Sequence, residues 1–218
     1  ALENARLFEE VRDGFETKSL LLQELHHRVK NNMQTIASLL TLQARHAKTD
    51  EAASLLKLSA GRIAGMAQVH DLLSQENVGS TTIGAVIEAM ADLMRTDLGA
   101  SDRDIELTVQ AEPARIASEK ATVFALAVNE LLWNAVEHGL NGRRHGSIHV
   151  EAVHEGDAVR VSVSDDGQGL PPDFALERDI GLGLSIVGNL VERNLDGSFS
   201  IEPRDGTAGT VATLRFMP

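Results

Sequence analysis

The first 78 residues show the hydrophobic periodicity of two long helices. In the first, positions spaced alternately by three and four residues predict a seam packed as in a coiled coil. These positions are Leu22, Leu25, Val29, Asn32, Ile36 and Leu39. Thr49 and Asp50 can cap a second helix, whose apolar stripe comprises Leu56, Ile63, Met66, Val69 and Leu73. A single hairpin leaves apolar surface open, and pairing two hairpins into a four-helix bundle closes it.

From residue 79 onwards, helical periodicity alternates with short stretches typical of strands. We expect helices near residues 83–98, 119–138 and 182–194. We expect strands near residues 105–109, 147–153, 158–164, 198–202 and 210–217, with a hairpin turn at Glu155, Gly156 and Asp157. This order predicts an α/β sandwich in which one mixed sheet carries helices on one face.

Glycine and proline mark the boundary between the two parts. Residues 1–78 hold three glycines and no proline, whereas residues 79–218 hold fifteen glycines and all five prolines. Asn77, Gly79 and Ser80 form the expected joint. The sequence therefore predicts a helical unit over residues 20–78 and a mixed α/β unit over residues 79–218.

Composition excludes several classes of protein. The formal net charge of −12 and the low aromatic content, six Phe and one Trp, argue against a nucleic-acid binder. No apolar run is long enough to span a bilayer, so we expect no membrane contact from this segment. The absence of cysteine excludes disulfides and fits a cytoplasmic protein, and the absence of an initiator Met suggests a fragment of a longer chain.

Two adjacent histidines lie on the first predicted helix, in the segment LLQELHHRVKNN. With Leu22, Leu25 and Val29 on the seam, His26 flanks the seam and His27 points nearly away from it. An exposed neutral imidazole can act as a nucleophile towards phosphorus. Taken alone, two such histidines are more often part of an ordinary polar face.

Glu130 and Asn134 lie four residues apart on the helix predicted before the hairpin, so they share one helix face. The carboxamide oxygen of Asn134 is a suitable ligand for Mg²⁺, which binds through few protein groups together with nucleotide phosphates. An amphipathic helix with ordinary polar positions explains the same pair.

Two glycine motifs follow. Asp165 ends a predicted strand, and Gly167 and Gly169 after it would let the backbone approach a ligand while the carboxylate accepts a hydrogen bond from an exocyclic amine such as that of adenine. A tight turn explains this motif equally well. Gly181 and Gly183 precede a predicted helix whose first N–H groups can bind phosphate.

Taken in order, the four motifs resemble those of sensor histidine kinases, specifically the branch whose histidine segment reads close to HHRVKNN. The likeness spans residues 20–217. It implies a Bergerat-type ATP-binding domain, shared with gyrase, mismatch-repair and chaperone ATPases. Residues 1–19 resemble the last helix of an upstream sensory domain of the GAF or PAS type, which this chain would lack.

The resemblance assigns roles to the motif residues. His27 would be the phosphoacceptor, with His26 as the alternative, Glu130 would orient or deprotonate near the reacting phosphate, and Asn134 would hold Mg²⁺. Asp165 would read the adenine amine. The remaining ATP-binding positions implied are Gly167, Gly169, Gly181, Gly183, Leu184 and, near the base, Thr210.

The sequence departs from the family pattern in two charged positions. Arg28 stands where the family has an acid proposed as general base, and Glu24, three residues before His27, could substitute for that acid. Glu137 stands where many relatives carry a Lys, so another group must balance the triphosphate. His138 and Lys30 are the candidates.

The implied activity is ATP-dependent autophosphorylation followed by transfer to an aspartate of a response-regulator receiver, with the hairpin forming a homodimer. A monomer with the second domain folded over the apolar stripe is the alternative. Asn31, one turn after His27, could position water for dephosphorylating the regulator. Two other functions stay open: a phosphotransfer adaptor with a degenerate ATP domain, and a Bergerat ATPase without histidine transfer.

Overall fold

The computed structural model describes residue 24 and residues 28–75, 80–99 and 103–218. The first 23 residues, Leu25, His26 and His27, and the expected joint at Asn77 and Gly79 lie outside the described residues, so the predictions made for them stay predictions. Helix α1 covers 28–45, and helix α2 covers Asp50–Gln75.

The two helices form the predicted hairpin. Thr49 caps α2, since its Oγ1 accepts a hydrogen bond of 3.2 Å from the backbone N–H of Ala52. Lys30 Nζ of α1 lies 2.6 Å from Asp71 Oδ2 of α2. This ion pair holds the start of α1 beside the end of α2.

The second part is built on a mixed five-stranded sheet with the order β2-β4-β5-β7-β6. Its strands are β2 (Asp104–Ala111), β4 (His145–Glu155), β5 (Ala158–Asp165), β6 (Ser198–Pro203) and β7 (Thr210–Phe216). Strands β2 and β4 are parallel, and the other pairs are antiparallel. The two-residue turn between β4 and β5 contains Gly156 with φ of 67°, a left-handed conformation that glycine adopts without strain.

Helices α3 (Ile83–Gly99), α4 (Ser118–Asn134) and α6 (Leu182–Asn194) pack against this sheet, and a short helix α5 (Leu176–Asp179) precedes α6. Alternate residues of β4 are buried, as the two-residue period of a strand requires, and these are Ile148, Val150 and Ala152. Phe124 of α4 meets Phe216 of β7 with ring centroids 5.3 Å apart. The predicted fold, a helical region followed by an α/β domain with a mixed sheet, is confirmed.

Three local features were not predicted, and the first is the four-residue helix α5. Strands β1 (Ser80–Thr82) and β3 (Arg115–Ala117) form a separate two-stranded ladder. The helix predicted to run to residue 138 changes after Asn134 into a wider π-helical turn, Ala135–Gly139. Within the described residues, no helix combines the length and apolar character needed to cross a bilayer.

Helix α2 packs against α4 as well as lying beside α1. Glycines of α2 make the contact close: a Cβ added at Gly61 would lie 2.9 Å from Trp133 Nε1, and one at Gly65 would lie 3.4 Å from Asn129 Cγ. Small residues allow two helices to approach closely, so α2 joins the hairpin directly to the helix that carries Glu130 and Asn134.

Candidate active site

Asp165 lies at the end of β5 and is almost completely buried. Its Oδ1 accepts a hydrogen bond of 2.8 Å from the backbone N–H of Gly167. Burial raises the pKa of the Asp165 carboxyl above its ordinary value, and hydrogen bonds from the backbone N–H groups of Gly167 and Thr210 offset part of this rise. Asp165 is therefore a buried acceptor held by its own loop and by the start of β7.

Three glycines surround Asp165 so closely that no larger residue fits. A Cβ at Gly139 would lie 2.6 Å from Asp165 Oδ1, one at Gly167 would lie 2.0 Å from the Gly139 carbonyl oxygen, and one at Gly209 would lie 2.0 Å from the Asp165 carbonyl oxygen. Gly169, with φ of 76°, faces the Gly209 carbonyl. The predicted Gly167, Gly169 and Thr210 thus come together around Asp165.

The sequence interpretation missed Gly139. It ends the π-helical turn after α4, and the backbone N–H of Gln168 donates to its carbonyl oxygen at 2.9 Å. A glycine after the last turn of a helix is a common stop signal. That signal locates the end of the helix, but it does not reveal the contact with Asp165.

Asp166 has a different environment from its neighbour. Its carboxylate accepts hydrogen bonds from the backbone N–H and the hydroxyl of Ser147, at 2.8 and 2.9 Å. Burial opposes ionisation of Asp166, but these hydrogen bonds outweigh it and hold its pKa below the ordinary value. Asp166 therefore ties the loop to β4, while the Asp165 carboxylate lies among the glycines.

Glu130 and Asn134 lie beside the start of α6. A Cβ at Gly183 would lie 3.0 Å from Glu130 Oε2 and 3.7 Å from Asn134 Oδ1. Glu130 is 2% exposed and accepts hydrogen bonds from Arg62 of α2, one of them 2.6 Å from Nη2 to Oε2 and the other from Nε to Oε1. Arg62 was not among the predicted site residues.

One polar atom of the Asn134 side chain has no hydrogen-bond partner among the described residues. This atom, Nδ2, is buried. Because a buried amide normally finds a partner, this atom marks a place where a ligand or water completes the site.

The glycine segment before α6 supplies an open helix start. Gly181 is the N-cap of α6, and nothing lies within 4 Å of a Cβ added there. Leu184, one turn later, packs against the main core and fixes the helix to the sheet side. The first N–H groups of a helix of this kind attract phosphate.

The two groups proposed to balance a triphosphate have different surroundings. The side chain of His138 is exposed, and its backbone carbonyl accepts a hydrogen bond of 2.9 Å from Gln168 Nε2. Lys30 is paired with Asp71. His138 therefore borders the loop that follows Asp165, whereas Lys30 is engaged within the hairpin.

The predicted phosphoacceptors His26 and His27 lie outside the described residues. Glu24, the proposed substitute base, accepts a hydrogen bond of 2.8 Å from Arg28 Nε, and both side chains are more than half exposed. Asn31 is exposed.

The arrangement fits a nucleotide and Mg²⁺. The glycines around Asp165 bring backbone groups close to its carboxylate, and Asn134 offers an amide beside the N-terminus of α6. Among the described residues, no group of three or more His, Asp or Glu side chains could hold a metal by itself. Mg²⁺ commonly takes only one or two protein ligands and completes its shell with phosphate oxygens and water. Asn134 would be such a ligand.

Two family models match the chain. The model described as histidine kinase matches residues 24–97, and the model described as histidine kinase-, DNA gyrase B-, and HSP90-like ATPase matches residues 119–218. Together they cover the hairpin, α3 and the glycine-lined site.

Curated relatives point the same way. The sensor histidine kinase PdtaS of Mycobacterium tuberculosis is 37% identical over 201 residues, which cover 91% of this chain and 40% of PdtaS. The blue-light-activated histidine kinase 2 of Erythrobacter litoralis is 30% identical over 205 residues, which cover 88% of this chain and 56% of that protein. The chain spans about half the length of these relatives.

Solved structures share the fold. The histidine kinase domain of a blue-light-activated histidine kinase from Erythrobacter litoralis has a TM-score of 0.62 at 21% identity, covering 92% of this chain and 94% of that one. The mycobacterial sensor histidine kinase MprB has a TM-score of 0.53 at 22% identity, covering 63% of this chain and 96% of that one.

A helical hairpin joined to a glycine-lined α/β domain defines a signalling protein with an ATPase domain of the type shared by histidine kinases, DNA gyrase B and HSP90. The family models match both the hairpin and the α/β domain, and this combination restricts the protein to one family. The chain belongs to the sensor histidine kinases. The resemblance inferred from the motifs is confirmed.

Proposed function

We propose that the protein transfers the γ-phosphoryl group of ATP to His27 and then to an aspartate of a response-regulator receiver. The observation that carries this proposal is that one short segment, residues 130–139, touches two clusters. Its first end lies beside Gly183 through Glu130 and Asn134, and its last residue, Gly139, lies against Asp165. Family membership supports it, because ATP binding is what this type of domain implies.

Asp165 and the glycine loops would hold the adenine end of ATP. The ionised carboxylate accepts a hydrogen bond from the exocyclic amine, and the glycines allow the base to approach backbone. The N–H groups at the start of α6 would meet the phosphates. These groups would recognise ATP through directed hydrogen bonds rather than through net positive charge. Such recognition suits a domain with an excess of acidic residues.

Glu130 and Asn134 would act at the phosphate end. Bound Mg²⁺ would neutralise charge on the phosphates, and Asn134 is the residue that would hold it. Glu130 would orient the attacking imidazole or accept its proton, because it shares a helix face with Asn134 and lies against Gly183. Phosphoryl transfer depends mainly on such positioning and charge neutralisation.

The decisive experiment is labelling with γ-labelled ATP and Mg²⁺. We expect an acid-labile, alkali-stable label in the wild type that is lost in His27→Ala and retained in His26→Ala. A protein that hydrolyses ATP without becoming labelled would be a Bergerat ATPase. One that neither binds ATP nor becomes labelled by it, but accepts phosphoryl from another phosphoprotein, would be a phosphotransfer adaptor.

Glu24 is the second candidate for the general base, beside Glu130. Its pairing with Arg28 is exposed to solvent, and exposed ion pairs of this kind exchange easily because they contribute about 0–1 kcal/mol. We expect Glu24→Gln to slow autophosphorylation while leaving the affinity for ATP unchanged. An unaltered rate would reject this role.

We also propose that the hairpin forms a homodimer through α1. Four apolar side chains of α1 are between 36% and 54% exposed, namely Val29, Ile36, Leu39 and Leu42. Since α4 packs against α2, the second domain leaves this stripe open, which favours a bundle with a second hairpin over a monomer. Light scattering of Ile36→Glu tests this: a dimer in the wild type should become a monomer.

A second activity, dephosphorylation of the regulator, is favoured by the exposed side chain of Asn31 on α1. If the amide positions water, Asn31→Ala should slow the loss of phosphoryl from the phosphorylated regulator. Removal as fast as in the wild type would exclude this role.

A further inference from the structure

Arg62 of the hairpin occupies the carboxylate that the proposed reaction needs. Its Nη2 lies 2.6 Å from Glu130 Oε2, and its Nε donates to Glu130 Oε1. The two side chains are 68 positions apart in sequence, and they are 18% and 2% exposed. The contact therefore connects two parts of the chain that must cooperate during phosphoryl transfer.

A carboxylate engaged in this way cannot serve an incoming histidine. Both oxygens of Glu130 accept from one guanidinium in the paired geometry that Arg and carboxylates favour. With only 2% of Glu130 exposed, its carboxylate is covered from solvent as well as paired with Arg62. Catalysis through Glu130 first requires that Arg62 leaves.

The contact between α2 and α4 around this pair has features that favour separation of the two helices. Gly61 and Gly65 bring α2 close to α4 without interlocking large side chains. At the same interface, Asn129 Nδ2 is buried and has no hydrogen-bond partner within the described part of the chain, a cost that would be relieved when water enters. A buried ion pair also gains little net free energy, because the desolvation of both charges offsets their attraction.

We propose that α2 acts as a latch: in the docked position described here Arg62 sequesters Glu130 and holds the kinase inactive, and release of α2 frees Glu130 for the reaction. The inference rests on the proposed function, because Glu130 is the group being withheld. A signal that shifts or rotates α2 in the hairpin would then control the chemistry without altering the adenine pocket.

The first test is Arg62→Gln, which removes the charge and keeps most of the volume. We expect its initial rate of autophosphorylation to rise by about fivefold or more, the lower end of measured couplings between sites. The affinity for ATP analogues should change less than this rate, since Asp165 is untouched. Lys57→Gln is the matched control, because it removes an exposed positive charge from the same helix.

Docking itself can be followed without measuring activity. Trp133 is the one tryptophan of the chain and lies against Gly61, so its emission reports on the contact between α2 and α4. Arg62→Gln should shift the emission to longer wavelength and increase quenching by acrylamide, whereas Lys57→Gln should change neither.

Two more variants keep the test independent of one substitution. Gly61→Val should displace α2 by collision with Trp133 and activate the kinase as Arg62→Gln does. In the opposite direction, the pair Gly65→Cys and Asn129→Cys places two thiols side by side, because a Cβ at 65 would lie 3.4 Å from Asn129 Cγ, the atom whose place the new sulfur takes. The chain has no other cysteine, so oxidation should suppress labelling and a reductant should restore it.

The outcomes separate the alternatives. Faster labelling together with greater exposure of Trp133 in Arg62→Gln supports the latch, and so does suppression by the disulfide. Slower labelling in a folded Arg62→Gln protein overturns it and makes Arg62 a positioning residue for Glu130. If neither the wild type nor any variant becomes labelled although ATP is bound, the proposed function fails and the latch fails with it. If the wild type is labelled and Arg62→Gln is labelled equally fast, only the latch is overturned.

Discussion

The two ends of the candidate site are constructed in different ways. Around Asp165 the contacts are between backbone groups and glycines of the same domain, and Gly139, Gly167 and Gly209 have no space for a Cβ atom. Around Glu130 the closest partner is a flexible side chain, Arg62, which belongs to the hairpin. One end is closed by the fold itself, whereas the other is closed by an element that can move away.

The difference indicates which properties of the site are constant and which are adjustable. In the proposed reaction, recognition of the base would depend on backbone that cannot shift without disturbing the sheet, so we expect it to be similar in every state of the protein. Access to Glu130 depends on where α2 lies. Substitutions at the two ends should therefore have unlike effects, and the following five predictions are ordered from the largest expected effect to the smallest.

Gly209→Ala should have the largest effect. A Cβ there would lie 2.0 Å from the Asp165 carbonyl oxygen, and φ at this position is 127°. We expect the free energy of unfolding to fall by about 1–3 kcal/mol from the overlap, with a further loss from the backbone conformation, and ATP binding to be lost. Gly206→Ala is the control from the same loop: its φ is 70° but nothing lies within 4 Å of the added Cβ, so only the backbone cost of about 1–2 kcal/mol applies. Equal losses in urea unfolding would contradict the steric argument.

Asp165→Asn should weaken ATP binding by roughly 10- to 100-fold. A hydrogen bond to a charged group contributes about 1.5–3 kcal/mol, and about 1.4 kcal/mol corresponds to tenfold in affinity. Titration calorimetry measures this change. Asp166→Asn is the matched control, because Asp166 bonds to Ser147 rather than facing the pocket. It should lower stability and leave the affinity nearly unchanged, and a comparable loss of affinity in both variants would mean that Asp165 has no special role.

The pH dependence of binding should report the burial of Asp165. Since burial raises its pKa, the acceptor becomes protonated at a pH above the ordinary value of about 3.9, and ATP affinity should fall as the pH is lowered through that range. The phosphates of ATP also titrate, and this contribution is the same in Asp165→Asn. The difference between the pH profiles of the two proteins therefore gives the contribution of the Asp165 carboxyl. Identical pH profiles for the two proteins would show that Asp165 does not contact the base.

The same pKa shifts predict opposite effects on stability. The raised pKa of Asp165 means that its ionised form costs stability, so Asp165→Asn should stabilise the unliganded protein at neutral pH, and this gain should disappear as the pH falls below about 3.9. The lowered pKa of Asp166 means that its contribution is present above about 3.9 and is lost as the pH falls through its folded-state pKa.

Gly183→Ala should have the smallest effect. Its Cβ would meet the end of the Glu130 side chain at 3.0 Å, and a side chain can yield where backbone cannot. We expect the free energy of unfolding to change by less than about 1 kcal/mol and autophosphorylation to slow by less than about tenfold. Gly188→Ala, later in the same helix, where the added Cβ meets nothing within 4 Å, should leave the rate unchanged. A collapse of stability in Gly183→Ala would remove the contrast between the two ends.

Most elements of the second domain were predictable because their signals are local. Helix α6 begins and ends where the glycines before it and its apolar period place it, at Leu182 and Asn194. The hairpin between β4 and β5 follows from Gly156 in its two-residue turn. The three-residue strands β1 and β3 were missed, since a period of two cannot be recognised over so few positions.

The parts of the site that escaped prediction depend on contacts between distant residues. The π-helical turn brings Gly139 to Asp165, and no local signal distinguishes such a turn from the end of an ordinary helix. The hydrophobic stripe of α2 predicted packing against the first helix. The contact with α4 instead uses Gly61, Gly65 and Arg62, which carry little or no hydrophobic signal. Asp165, Glu130 and Asn134 could be singled out because their motif spacing is short, and the roles given to them stay predictions.

The glycines that let α2 lie so close to α4 also set its mechanical stiffness. Each glycine in a helix interior weakens the helix by about 1 kcal/mol relative to alanine, and Gly61 and Gly65 lie one turn apart near the middle of Asp50–Gln75. A torque applied at either end of α2 therefore meets its softest turn beside Arg62. If α2 carries a signal along the hairpin, we expect it to bend most easily at the turn that contacts Glu130.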